Sequence, residues 1–174
     1  MLLLMTMLVA TLTVHPTINL RMLRPDPRIM EYLRSEDENF VGFFRIPKYR
    51  IYVPIYHAVY EWEYAVEIAQ AYTDREHTAV YMDGWTPYKY VADHVHQDFA
   101  RLSEVEVGDI AIIDWYDGTR TEYFCTEADV GLYARTELYD CYGVPFEDWQ
   151  CDFMSYTCYH AIPDGVFICK WDLL

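Results

Sequence analysis

From residue 41 onward the apolar runs of this chain last only a few residues before Gly, Pro, Asp or a charged pair interrupts them. That spacing constrains the fold more than any other feature, because a core helix needs ten or more residues of sustained periodicity. Residues 41–46, 50–56, 77–82, 88–92, 109–116, 120–126, 137–141, 152–157 and 166–171 read as strands, rich in Val, Ile, Tyr and Phe. Asp117-Gly118-Thr119 is a hairpin signal between two of them, and Asp83-Gly84 marks another turn. Helical spacing occurs in only three places. Residues 28–38 set Ile29, Tyr32 and Leu33 on one face, residues 64–71 form a short helix, and residues 98–104 form one turn with Phe99 and Leu102 inward. The expected fold is mainly β, a closed or nearly closed β-barrel of seven to eight strands with a few short helices.

Seventeen per cent aromatic and 53% hydrophobic residues exclude a disordered chain, and 174 residues make one domain with a proper core. Pro25, Asp26 and Pro27 punctuate the entry to that domain, so the expected division is a leader over residues 1–27 and a folded domain over 28–174. No internal repeat or linker is present. A net charge of −15 without clustered Lys and Arg excludes a nucleic-acid partner. It also opposes simple electrostatic adhesion to an anionic membrane. Residues 1–14 are apolar and uncharged, too short to span a bilayer comfortably. They have the length of a signal-peptide hydrophobic region but lack its basic flank and a good cleavage site. Export, anchoring and packing onto the domain all stay open, and with them a membrane association through this segment.

Five cysteines, Cys125, Cys141, Cys151, Cys158 and Cys169, show no Cys-x-x-Cys pair, so neither a zinc knuckle nor a thioredoxin motif is expected. Their odd number suits a reducing compartment or a secreted protein with one reactive thiol. Cys158 ends a strand-like run, Phe153-Met154-Ser155-Tyr156-Thr157, and a polar turn through His160 and Pro163-Asp164-Gly165 follows. A thiol at a strand end is accessible, and cysteine chemistry also needs a base or cation that favours the thiolate. His94 and His96, after the Tyr90-Val91-Ala92 run, are the candidate partners. Free cysteines are more often buried than catalytic, so these residues alone do not establish an enzyme. His94 and His96 with Asp93 and Asp98 can also be read as a metal cluster, but no third ligand is near in sequence; no metal and no cofactor are expected.

Sortases resemble this chain over most of residues 43–171. Phe44-Arg45-Ile46-Pro47-Lys48 and Arg50-Ile51-Tyr52-Val53-Pro54-Ile55 look like the family's early strand pair. Ala92-Asp93-His94 is similar to the Ala-Gly-His segment that ends in the catalytic histidine. Phe99-Ala100-Arg101-Leu102 and Val107-Gly108-Asp109 match the stretch after it, and Tyr156-Thr157-Cys158 resembles the strand that presents the nucleophile. Histidine before cysteine is the reverse of the papain-like order. The resemblance implies a sortase-like barrel and a cysteine transpeptidase, with Cys158 as nucleophile and His94 as acid and base. His96 is the weaker imidazole candidate. It implies two partners, a peptide sorting signal and an amine acceptor on a cell wall or pilin, and a cell-surface or extracellular location.

One departure stands out. The family's arginine on the strand after the cysteine is missing, and Gly165 lies about where it belongs. Lys170 and Arg101 are candidate replacements, with Arg120 and Arg135 reachable only through the fold; a lysine lacks the planar donor fork, and Lys170 near the chain end reads as solvated. Asp93 or Gln97 is expected to orient the imidazole. Glu61, Glu63, Glu67, Asp74 and Glu76 read as a solvated acidic face. Without the arginine, two alternatives to the transpeptidase remain: a non-catalytic peptide-binding barrel, and a cysteine hydrolase on the same scaffold.

Overall fold

The structure is a computed structural model and describes residues 23–58, 65–83, 89–134 and 137–174. Residues 1–22 of the leader expected over 1–27, and Glu61, Glu63, Tyr64, Gly84, Tyr88 and Arg135, lie outside the described residues. The strands are β1 (Phe40–Ile46), β2 (Ile51–His57), β3 (Ala79–Met82), β4 (Lys89–Ala92), β5 (Ile110–Trp115), β6 (Arg120–Ala134), β7 (Glu137–Tyr139), β8 (Phe153–Cys158) and β9 (Gly165–Leu173). They lie in the order β5-β1-β2-β3-β4-β8-β9-β6-β7, and β5 also pairs with β6. Eight strands therefore close into a barrel, and β7 sits outside it on β6. Most neighbours are antiparallel; β2 with β3 and β4 with β8 are parallel.

Period-two alternation is what fills the barrel. Phe44 and Ile46, Ile51, Val53 and Ile55, Ala111 and Ile113, and Phe167, Cys169 and Trp171 all point into one core. An eight-stranded barrel is just wide enough for side chains to fill, so the interior is packed rather than hollow. The residues between them face outward. Helix α1 (Pro27–Glu36) covers part of that outer surface, setting Met30 against Phe40, Phe43 and Tyr56. It starts with Pro27 at the first turn behind Asp26, whose side chain accepts from the Arg28 amide. Helix α2 (Ala65–Asp74) packs Ala69 and Tyr72 against Val80, Met82 and Ala92.

Two expectations need correction. β6 runs on for 15 residues, well past residue 126. A bulge between Cys125 and Glu127 breaks its alternation, and beyond it the strand pairs with β9 along an acidic, half-exposed stretch. Lys170 is not solvated: it is 7% exposed. Its ammonium donates to Asp140 at 2.8 Å, pairs with Glu127 at 2.9 Å and lies 4.6 Å from the Trp149 ring. Among the described residues no helix is long and apolar enough to cross a membrane. All five cysteines are free thiols.

Candidate active site

Cys158 is the last residue of β8 and is exposed, one position beyond the buried Thr157. β8 is held on one side by β9, where Cys158 pairs with Val166, and on the other by β4, where Ala92 pairs with Tyr156. β4 and β8 are parallel, so both chains leave the sheet at the same end of the barrel. Thr157 Oγ1 donates to the Asp93 carbonyl at 2.7 Å and keeps the two chains together one residue past the ladder. The next residue on each chain is His94 and Cys158. Shared direction and register thus put His94 and Cys158 each one residue past the Asp93–Thr157 bond, at the same end of the sheet.

The chain after β4 turns sharply over residues 93–98, and Asp93 organises the turn. Its carboxylate accepts from the His94 amide at 2.7 Å and the Asp98 amide at 3.1 Å. Burial, reinforced by the Asp98 charge, pushes its pKa up to about 6 against the pull of those amides. Asp93 therefore positions the backbone that carries His94; its two hydrogen bonds go to amides, where an orienting role toward the ring was expected. Gln97 likewise reaches away from the ring, donating from Nε2 to the Thr73 carbonyl at 3.0 Å and so tying the turn to the end of α2.

The group that does touch the imidazole is Asp74, the last residue of α2, whose Oδ1 lies 3.0 Å from His94 Nε2. A carboxylate at a helix C-terminus faces the negative end of the dipole. Hydrogen bonds from His94 and then Gln70 nevertheless hold the Asp74 carboxyl below its ordinary value. In sequence it belonged to a solvated acidic face; only the packing of α2 beside the end of β4 gives it a second role. The exposed His96 stacks on His94, ring centres 5.0 Å apart and planes 19° from parallel. Stacked rings do not converge their nitrogens on a common point, and among the described residues no three His, Cys, Asp or Glu groups are arranged to hold a metal.

Neither candidate cation stands in for the arginine. Lys170 pairs with Met154, four ladder positions from Cys158, a distance of about 13 Å along the strand. Asp140 and Glu127 outweigh the effect of burial and raise its pKa. Arg101 donates to Glu104 at 2.7–2.8 Å and to the Tyr49 carbonyl at 3.1 Å. Arg120 is paired with Asp114 at 2.7 Å on the outer face of β5 and β6. At Gly165 itself the turn leaves no space for a side chain. A Cβ there would lie 2.8 Å from the Tyr159 carbonyl oxygen and 2.9 Å from that of Ile162. The turn closes by hydrogen bonds from Tyr159 N to Gly165 O at 2.7 Å and from Gly165 N to Ile162 O at 3.0 Å. His160 is exposed in this turn, two residues past the thiol.

No family model and no characterised protein sequence matches the chain. Solved structures do. A lid mutant of sortase A from Corynebacterium diphtheriae superposes with a TM-score of 0.56 at 17% identity, over 84% of this chain and 77% of that one. The sortase D5 transpeptidase of Clostridium perfringens gives 0.52 at 15% identity, over 87% and 90%. Clostridium perfringens sortase C, solved with the C-terminal cell wall sorting motif, gives 0.51 at 14% identity, over 83% and 75%. At these identities the likeness is one of architecture, and the architecture of this chain is a sortase-like β-barrel.

Proposed function

We propose that the domain spanning residues 28–174 is a cysteine transpeptidase that cleaves a peptide sorting signal and passes its acyl part to an amine. The single observation that supports this reading is that β4 and β8 run parallel, with Ala92 opposite Tyr156 and Thr157 bonded to Asp93, and that His94 and Cys158 each follow one residue later. The Cys158 thiolate attacks the scissile carbonyl carbon, and the imidazolium of His94 gives its proton to the departing amine nitrogen. A thioester on Cys158 remains. An incoming amine loses a proton to His94 as it attacks that thioester, and the thiolate leaves, regenerating the site. Asp74, whose Oδ1 lies 3.0 Å from His94 Nε2, fixes the ring. The sorting signal is the substrate class because a structural neighbour is solved with such a motif. A surface or extracellular location, with the apolar residues 1–14 as the link to a membrane, belongs to the same reading.

Cys158→Ala and His94→Ala are each expected to lower turnover of a sorting peptide by at least about ten-thousand-fold. Intact mass of the wild type trapped with peptide is expected to show a thioacyl adduct that both variants lack. Equal cleavage by wild type and Cys158→Ala would sink the proposal.

The closed turn at Gly165 favours a second reading, a barrel that binds an extended peptide without processing it. A missing oxyanion donor typically costs about a hundred- to a thousand-fold in rate. Peptide binding with no adduct, under conditions where a thiol reagent still labels Cys158, would establish this second reading over the first. A product unchanged by added amine would instead identify a hydrolase.

A further inference from the structure

Asp74 can hold the His94 ring only while the end of α2 is itself held, and that end is exposed: Gln70, Ala71 and Asp74 all face solvent. A helix leaves its last four carbonyls without partners of its own. Two of those in α2 are taken from outside. The Thr78 hydroxyl lies within hydrogen-bond reach of the Tyr72 carbonyl, and Gln97 Nε2 donates to the Thr73 carbonyl at 3.0 Å. Gln97 belongs to the same turn as His94, so that turn leans on α2 twice.

The side chain that fixes this end of α2 is Tyr72, half-buried against the barrel. Its ring stacks on Tyr56 of β2, centres 5.1 Å apart and planes 13° from parallel. Its hydroxyl accepts from Asn39 Nδ2 at 3.0 Å and donates to Asp37 Oδ2 at 3.2 Å. Both partners belong to the turn between α1 and β1, which is anchored before it meets the phenol. Asp37 caps α1 through its amide, bonded to the Leu33 carbonyl at 3.0 Å, and its Oδ1 accepts from the Asn39 amide at 2.9 Å. The Asn39 carbonyl accepts from the His57 amide of β2 at 2.8 Å. Arg75 closes over the same place, 5.2 Å from the Tyr56 ring centre and 3.7 Å from Asp37. At about 100° per residue, Tyr72 and Asp74 project from the helix about 160° apart. A tilt or roll of α2 that loosens one therefore displaces the other.

We propose that Tyr72 is a positioning residue for His94: by tying the last turn of α2 to the α1–β1 turn, it keeps Asp74 Oδ1 against the imidazole Nε2. This role rests on the reading of His94 as acid and base. It adds that the α1–β1 turn, on the far side of α2 from the imidazole, shares control of the ring. A network that served stability alone would join the same groups, so a role in the reaction has to be separated from a role in the fold.

A double-mutant cycle on the full chain separates them. Tyr72→Phe, Asp74→Asn and the double variant are assayed on a sorting peptide. Phenylalanine keeps the stack on Tyr56 and loses only the hydroxyl. Tyr72→Phe is expected to lower kcat about threefold with KM unchanged, less than Asp74→Asn, because the stack and the carbonyl bonds still hold the helix. The double variant should be no slower than Asp74→Asn alone, since the hydroxyl works through that carboxylate. Losses that multiply in the double variant would overturn the proposal, and so would a lower unfolding free energy in Tyr72→Phe with kcat intact. The nitrogen–proton NMR signals of the His94 imidazole, assigned by their absence from His94→Gln, give a readout without turnover. Tyr72→Phe should move them in the direction that Asp74→Asn does. Wild type that fails to cleave the peptide would count against the transpeptidase reading, and the NMR signals would then decide the positioning role by themselves. Signals that Tyr72→Phe leaves unmoved would overturn it.

Discussion

At one end of the β8–β9 ribbon Cys158 pairs with Val166 beside solvent; toward the other, Met154 pairs with Lys170, and that ammonium is buried between Asp140 and Glu127 under Trp149. The same two strands hold both. Where the charge is buried, every partner is a carboxylate or an aromatic face at contact distance, and backbone amides of Tyr142 and Val144 fix Asp140 from behind at 3.0 and 2.9 Å. Where the thiol emerges, Tyr159 beside it is half-exposed and His160 exposed, and the turn that follows is closed by backbone bonds around a glycine. One end is built for stability, and the other keeps its reactive groups accessible.

Substituting each end separately is the sharpest way to break that contrast. Lys170→Met removes the cation and leaves two carboxylates facing each other in a half-closed site, so unfolding free energy should fall by about 3–5 kcal/mol. Cys158→Ala, at an exposed strand end, should change it by less than about 0.5 kcal/mol while abolishing turnover. Denaturant titration of both variants measures the difference. Similar losses at the two ends would refute the division.

A smaller effect is expected at Gly165. Alanine there forces its Cβ against two carbonyl oxygens of the turn, and overpacking of that kind costs about 1–3 kcal/mol. Restoring the arginine that sortases carry should cost at least as much and should not raise turnover. If Gly165→Arg folded normally and accelerated peptide cleavage, the closed turn would be no obstacle.

The pH dependence at Asp93 comes next. Its pKa is raised to about 6 in the folded protein against an ordinary value near 4, so the folded state binds the proton more tightly. Its contribution is fully present below about pH 4 and is lost as pH rises through about 6, on the order of 2–3 kcal/mol. Asp93→Asn removes the titration. The stability difference between wild type and variant, followed by denaturant melts across that window, should change by this amount; a constant difference would argue against the buried carboxyl.

Much of the architecture was legible in the sequence because short strands with buried alternate residues leave a period-two signature, as in Ile51, Val53 and Ile55. The second half of β6 left no such signature, since its bulge and its acidic residues break the alternation. Lys170 was misread for a related reason: its burial depends on Glu127 from β6 and Asp140 from the residue after β7, both remote from it in sequence. Ladder register likewise could not be read, and it is register that ends β4 and β8 together at Ala92 and Tyr156 and carries Lys170 away from Cys158.

Asp74 and Asp93 extend the contrast to the site itself, because the two carboxylates flank His94 from opposite sides of its chemistry. Asp93 is 4% exposed and binds backbone, whereas Asp74 is largely exposed and binds the ring. An exposed pair of this kind contributes little to stability, since solvent screens it. Asp74→Asn should leave the melting curve almost unchanged. Its effect belongs to the imidazole ring, which loses the carboxylate that holds Nε2 at 3.0 Å and with it a fixed orientation. The expected loss in kcat is about tenfold, the scale of one hydrogen bond of about 1.4 kcal/mol. A kcat that Asp74→Asn leaves unchanged, with the fold intact, would reduce the 3.0 Å contact to a surface pairing.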